Sequence, residues 1–142
     1  MKMIRAALLL LLCATVGMAA AGAAEREEKV VYHINDSSVA TAALNNIRNH
    51  LNASPKAKII VVTHGPGIDF LLEGAQNKNG NPYDAVVQEL VNRNVQFRVC
   101  NNTLETRKID KSQVIQEATI VPSGVAEVAR LQVQEGYAYI KP

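Results

Sequence analysis

From residue 29 onward, short unbroken apolar runs alternate with apolar stripes at helical spacing, and the alternation continues to the end of the chain. Lys29-Val30-Val31-Tyr32-His33-Ile34 reads as a first strand, closed by the turn-prone Asn35-Asp36-Ser37-Ser38. Ala40, Ala43, Leu44, Ile47 and Leu51 then recur at helical spacing. Pro55 separates this helix from a strand over residues 57–64, whose Ile59-Ile60-Val61-Val62 lacks polar alternation. Such a run belongs to a strand buried on both faces, as in a parallel sheet covered by helices. Gly65-Pro66-Gly67 opens a short helix through Ile68, Phe70, Leu71 and Leu72, and residues 74–81 form a polar loop. Asn81-Pro82 supplies an N-cap and a first-turn proline for a helix with Ala85, Val86, Val87, Leu90 and Val91 on its apolar side.

The second half repeats the alternation. A third strand is predicted over residues 94–100, and Asn102 and Glu105 have the spacing of a capping box for the helix after it. A helical segment around residues 112–116 precedes a fourth strand at 118–121. Pro122-Ser123 starts a last helix with Val125, Val128, Ala129 and Leu131 facing inward. Gly136 ends it, and residues 137–140 are a fifth strand. The predicted fold class is α/β, with a mostly parallel five-stranded sheet and helices on both faces.

Before residue 25 the pattern is different. Lys2 and Arg5 precede an apolar stretch over residues 6–16, then small residues including Ala21-Gly22-Ala23, then the charged Glu25-Arg26-Glu27-Glu28-Lys29. This is the layout of a secretory signal, so residues 1–24 are expected to be removed and residues 25–142 to form one domain. The apolar stretch is short for a bilayer, so no stable membrane insertion is expected after cleavage. Cys13 follows Leu12 rather than a small residue, which argues against lipidation, and it leaves with the leader. The expected location is periplasmic or secreted.

The leader alters the charge balance. The full chain has fifteen Lys and Arg against thirteen Asp and Glu, and removing Lys2 and Arg5 leaves thirteen of each. With no tryptophan and no basic cluster, nucleic-acid binding is not expected.

The mature chain then holds one cysteine, Cys100, at the end of the third strand and before a helix start. A helix N-terminus stabilises a thiolate, and a thiol there is expected to be accessible and without an internal disulfide partner. Ligands of open α/β sheets bind beyond the carboxyl ends of the strands, where His33, His64 and Cys100 all fall. A cysteine and a histidine so placed could hold a thiolate and move a proton. Arg98 shares the strand face of Cys100, where it would favour the thiolate and hold an anionic sulfur species. No metal-ligand spacing is present, and Gly65-Pro66-Gly67 lacks the lysine of a P-loop and the spacing of a dinucleotide fingerprint. Neither a metal nor a cofactor is expected.

The order of elements, with Asn94-Val95-Gln96-Phe97-Arg98-Val99-Cys100 before Asn102-Thr103-Leu104, resembles the DsrE/DsrF-like family. The C-terminal Val121-Pro122-Ser123-Gly124-Val125-Ala126-Glu127-Val128 and Gly136-Tyr137-Ala138-Tyr139-Ile140 are similar to its small single-domain branch. The resemblance implies a flavodoxin-like three-layer sandwich, a homo-oligomer (trimer or hexamer), and Cys100 as a thiol carrying sulfane sulfur as a persulfide. Arg98, His33, His64 and Asn102 are the candidate substrate-binding residues beside it. The expected partner is a thiol or small sulfur compound. Two other readings are a non-catalytic oligomeric binding module and a redox-responsive protein.

Overall fold

The computed structural model describes residues 26–142. The expected leader, with Cys13, lies outside the described residues. Five strands, β1 (Lys29–Ile34), β2 (Lys58–Thr63), β3 (Gln96–Cys100), β4 (Ala118–Val121) and β5 (Ala138–Ile140), form one sheet in the order β4-β3-β2-β1-β5. Every pairing is parallel, so the sheet is wholly rather than mostly parallel. The helices are α1 (Ala40–Ala53), α2 (Asp84–Asn92), α3 (Asn101–Arg107) and α4 (Gly124–Glu135). Short 3-10 turns occupy Ser37–Val39, Gly65–Leu71 and Lys111–Gln113.

The two faces of the sheet are covered unequally. Val30, Tyr32 and Ile34 of β1, Ile59 and Val61 of β2, and Phe97 and Val99 of β3 pack in one cluster. The apolar stripe of α1, Val87 and Leu90 of α2, and Leu104 of α3 complete it. All five residues predicted for the α1 stripe are buried. On the opposite face a smaller cluster joins Val31, Ile60 and Val62 to Val128 and Leu131 of α4 and to Tyr137. The result is three layers, with α4 the helix on the second face among the described residues. No helix among them is long and apolar enough to cross a membrane.

Several local expectations are corrected. Helix α2 begins at Asp84 behind Tyr83, without Asn81 as cap. The loop before it folds on itself instead: Asn77 N donates to Asn81 O, and Asn77 Oδ1 accepts from the amides of Asn79 and Asn81. The capping box of Asn102 and Glu105 does not form, because Cys100 itself is the N-cap of α3 and Asn102 lies inside the helix. Glu105 accepts from Asn101 Nδ2. A capping box does occur at Asp110 and Gln113, around a single 3-10 turn where a helix over 112–116 was predicted. Val125 and Ala129 face outward, and Val128 and Leu131 alone of the predicted four are buried.

The connections explain where a crevice opens. After β3 the chain turns to α3 on the first face, while after β4, its neighbour, it turns to α4 on the second. Neighbouring strands whose connections leave to opposite faces part at their carboxyl ends. Cys100 pairs with Val121 at that point.

Candidate functional site

Cys100 is the last residue of β3 and the cap of α3, and the first turn of α4 closes over it. Ser123 caps α4 by accepting from the Ala126 amide, which aims the free amides of that first turn at the sheet end. Gly124 is needed for the approach. A Cβ on it would lie 2.9 Å from Thr63 O, 3.1 Å from His64 Cβ and 3.2 Å from Cys100 Cβ. The helix start therefore rests directly against the ends of β2 and β3.

This packing sets the chemistry of the sulfur. Burial pushes the Cys100 thiol up, while the neighbouring Gly124 amide, the Thr103 hydroxyl and amide, and the Asn102 amide pull it down. The donors win, and the thiol is held below its ordinary value. Two helix N-termini thus converge on one sulfur and favour its anion. Thr103 is fixed for the purpose, because its hydroxyl also accepts from the Gly65 amide at 2.9 Å.

The expected accessibility is not met in the single chain. Cys100 is 4% exposed, since the α4 start that supplies the Gly124 amide also covers the sulfur. Among the described residues it is the free cysteine.

Arg98 does lie on the α4 side of β3 but does not serve the thiolate. Its guanidinium is paired with Glu127 of α4 and donates to Gln96 Oε1 at 2.8 Å. Glu127 also takes Arg130 at 2.8 Å, so the arginine charge is spent on a half-buried ion pair. Arg130, and then Arg98 against the cost of burial, hold the Glu127 carboxyl below its usual range. Asn102 contributes through its amide rather than its side chain.

His33 and His64 do come together. Their Nε2 atoms are 2.7 Å apart, and His33 Nδ1 lies 2.7 Å from the hydroxyl of Tyr139. Strand alternation explains the meeting. His33 follows Val31 on the α4 face of β1, His64 continues the face of Ile60 and Val62, and Tyr139 is in register with Val31. Burial lowers both imidazole pKa values, and Lys141 pushes each the same way, as does His64 for His33. Both rings are therefore biased toward the neutral form. Among the described residues no group of three His, Cys, Asp or Glu side chains is placed to hold a metal.

Thr103, Gly124 and Tyr139 were missed as site residues. The Ser123-Gly124 step after β4 carried a usable signal, a cap followed by a residue able to approach a sheet end. Nothing local marked Tyr139, whose role depends on β5 lying beside β1.

Comparison with known proteins identifies the family. No curated protein matches. A protein of unknown function, MTH1491, from Methanobacterium thermoautotrophicum shares 30% identity, with a TM-score of 0.73 over 82% of this chain and all of that one. The ychN protein from E. coli has the same fold, at 12% identity and a TM-score of 0.66 over the same shares. The family model for DsrE/DsrF-like proteins matches residues 18–142. This chain therefore belongs to the DsrE/DsrF-like family.

Proposed function

We propose that the protein handles sulfane sulfur through Cys100, in a sulfur-relay role of the kind its family suggests. The observation that carries this reading is the packing of two helix starts on Cys100, which caps α3 and lies against Gly124 at the first turn of α4, and these surroundings favour an anionic sulfur. The Cys100 thiolate attacks the outer sulfur of a donor R–S–SH. A new S–S bond forms to Cys100, the donor's S–S bond breaks, and R–S⁻ leaves with its electron pair. An acceptor thiolate then attacks the outer sulfur of the Cys100 persulfide and regenerates the thiolate, with no net oxidation. His33 and His64 border the site, and the expected export makes small extracytoplasmic sulfur compounds the natural donors and acceptors.

Intact-mass measurement after incubation with a persulfide donor tests this. The mass of one sulfur atom should add to wild type and not to Cys100→Ser. No addition, or equal addition to both, sinks the reading.

Association of several copies fits the same fold. Val125 and Val133 of α4 are 62% and 84% exposed, on the outer side of the helix that covers the second face of the sheet. An apolar row of this kind suits a subunit contact. The burial of Cys100 favours a second reading, a non-catalytic oligomeric module with an inert thiol. Slow alkylation of native protein by iodoacetamide, against fast alkylation of the unfolded chain, would select it.

A further inference from the structure

Cys100 of β3, His64 just past the end of β2, His33 of β1 and Tyr139 of β5 form a row along the α4 face of the sheet. His64 and Cys100 flank the same point, since both Cβ atoms are in contact range of a side chain grown at Gly124. Beyond His64 the row is hydrogen-bonded without a break, through Nε2 to Nε2 and then Nδ1 to the tyrosine hydroxyl. Its far end, Tyr139, is 43% exposed and meets water.

We propose that Tyr139, His33 and His64 form a proton-delivery chain that protonates the thiolate expelled when Cys100 attacks a sulfur–sulfur bond. The proposal rests on the sulfur-handling reading and adds the acid that reaction lacks. Expulsion of an alkyl thiolate is slow because the leaving sulfur is basic, and a proton given to it in the transition state speeds departure.

The bonds allow one direction of transfer at a time. In the delivering state His64 Nδ1 carries a proton, His33 Nε2–H donates to His64 Nε2, and Tyr139 O–H donates to His33 Nδ1. His64 Nδ1–H goes to the leaving sulfur, His64 Nε2 takes the His33 proton, His33 Nδ1 takes the tyrosine proton, and Tyr139 takes one from water. For a disulfide R–S–S–R the balance is Cys100–S⁻, the disulfide and water giving Cys100–S–S–R, RSH and hydroxide. Each ring ends as the other neutral tautomer, so no buried cation is needed.

The surroundings suit neutral rings. Lys141 is the charge that bears on both histidines, Arg98 on the same face is neutralised by Glu127, and Arg107, which reaches Gly65 O, is paired with Asp69. The resting acidity of Cys100 is set by the amides around it, which leaves the histidines free to act on the departing group. His64 is the acid, and His33 and Tyr139 are positioning residues that fix its tautomer and resupply it.

Two disulfide reagents test the chain on the full-length protein. The aromatic reagent 5,5′-dithiobis(2-nitrobenzoate) expels a weakly basic thiolate that needs no proton, whereas bis(2-hydroxyethyl) disulfide expels a basic one. In Tyr139→Phe, His33→Gln and His64→Gln the rate with the alkyl reagent, taken relative to the rate of the same variant with the aromatic reagent, should fall about tenfold below the wild-type ratio. Tyr139→Phe removes one exposed hydroxyl and keeps the ring, so it serves if a histidine variant folds poorly. Equal slowing with both reagents, no slowing with either, or no reaction of native wild type overturns the proposal. A protein that shows the selective loss but gains no sulfur from a persulfide donor keeps the chain and loses the sulfur-handling reading.

Discussion

Gly124 and Cys100 meet with no space for a side chain between them. A Cβ at residue 124 would stand 3.2 Å from Cys100 Cβ and 2.9 Å from Thr63 O. The carbonyl belongs to a central strand and cannot retreat, so Gly124→Ala must push the first turn of α4 away from the sheet. That costs about 1–3 kcal/mol by overpacking and uncovers the sulfur. Thermal melting should fall while alkylation of Cys100 speeds up. A variant that melts lower but alkylates no faster would show that the turn does not gate access.

Thr103 tests the cradle. Thr103→Val removes a hydroxyl that donates to Cys100 and accepts from Gly65 N at 2.9 Å. Loss of the donor should move the midpoint of the alkylation pH profile upward, and the orphaned Gly65 amide should cost about 1 kcal/mol in denaturant unfolding. An unchanged midpoint would remove Thr103 from the site.

Acid should lower the stability of the protein in two stages. His33 and His64 are held neutral by burial first and by Lys141, with His64 also acting on His33, so their folded pKa values lie below the ordinary 6.5. Their stability is present above 6.5 and is lost as pH falls through the folded values. Glu127 is held below its ordinary 4.5 by Arg130 and Arg98 against the cost of burial, so its stability persists above 4.5 and is lost below it. Melting temperature against pH should fall first below 6.5 and again below 4.5. His33→Gln should flatten the first fall and Glu127→Gln the second.

The ion pair can be tested at neutral pH as well. Glu127→Gln leaves Arg98 half-buried with Gln96 as its remaining partner. A cost of about 2–3 kcal/mol is expected for a charge deprived of its partner, with little change in the alkylation midpoint of Cys100. A large shift of that midpoint would restore Arg98 to the thiolate.

Val133→Lys addresses association. The residue is 84% exposed on α4, so the single chain should lose almost nothing in stability. Light scattering should show smaller particles than for wild type. Unchanged mass would place the subunit contact elsewhere.

Much of the fold could be read from the chain because burial imposes periodicity. The stripe of Ala40, Ala43, Leu44, Ile47 and Leu51 has helical spacing, the β-branched run Ile59-Ile60-Val61-Val62 suits a buried strand, and each took that structure. Errors came where polar groups had a choice of partner. Asn81 and Asn102 are good caps in isolation, yet one is tied into the loop from Asn77 and the other lies within α3 beside the sulfur. Val125 and Ala129 lie beside the correct inward positions of α4, but a helix on a thinly covered sheet face buries a narrower stripe than periodicity alone suggests.

The sequence by itself determined the alternation of strands and helices and the placement of Cys100, His33 and His64 at strand ends, since those follow from local spacing. It could not determine which strands are neighbours. The order β4-β3-β2-β1-β5 is decided by packing between distant segments, and that order brings Tyr139 to His33 and Gly124 to Cys100. It also pairs Arg98 with Glu127 instead of the thiolate, and it covers a sulfur that local spacing would leave open. Hydrogen bonds and desolvation act over a few ångströms of space, whatever the separation along the chain, so the acidity and the access of Cys100 belong to the tertiary structure.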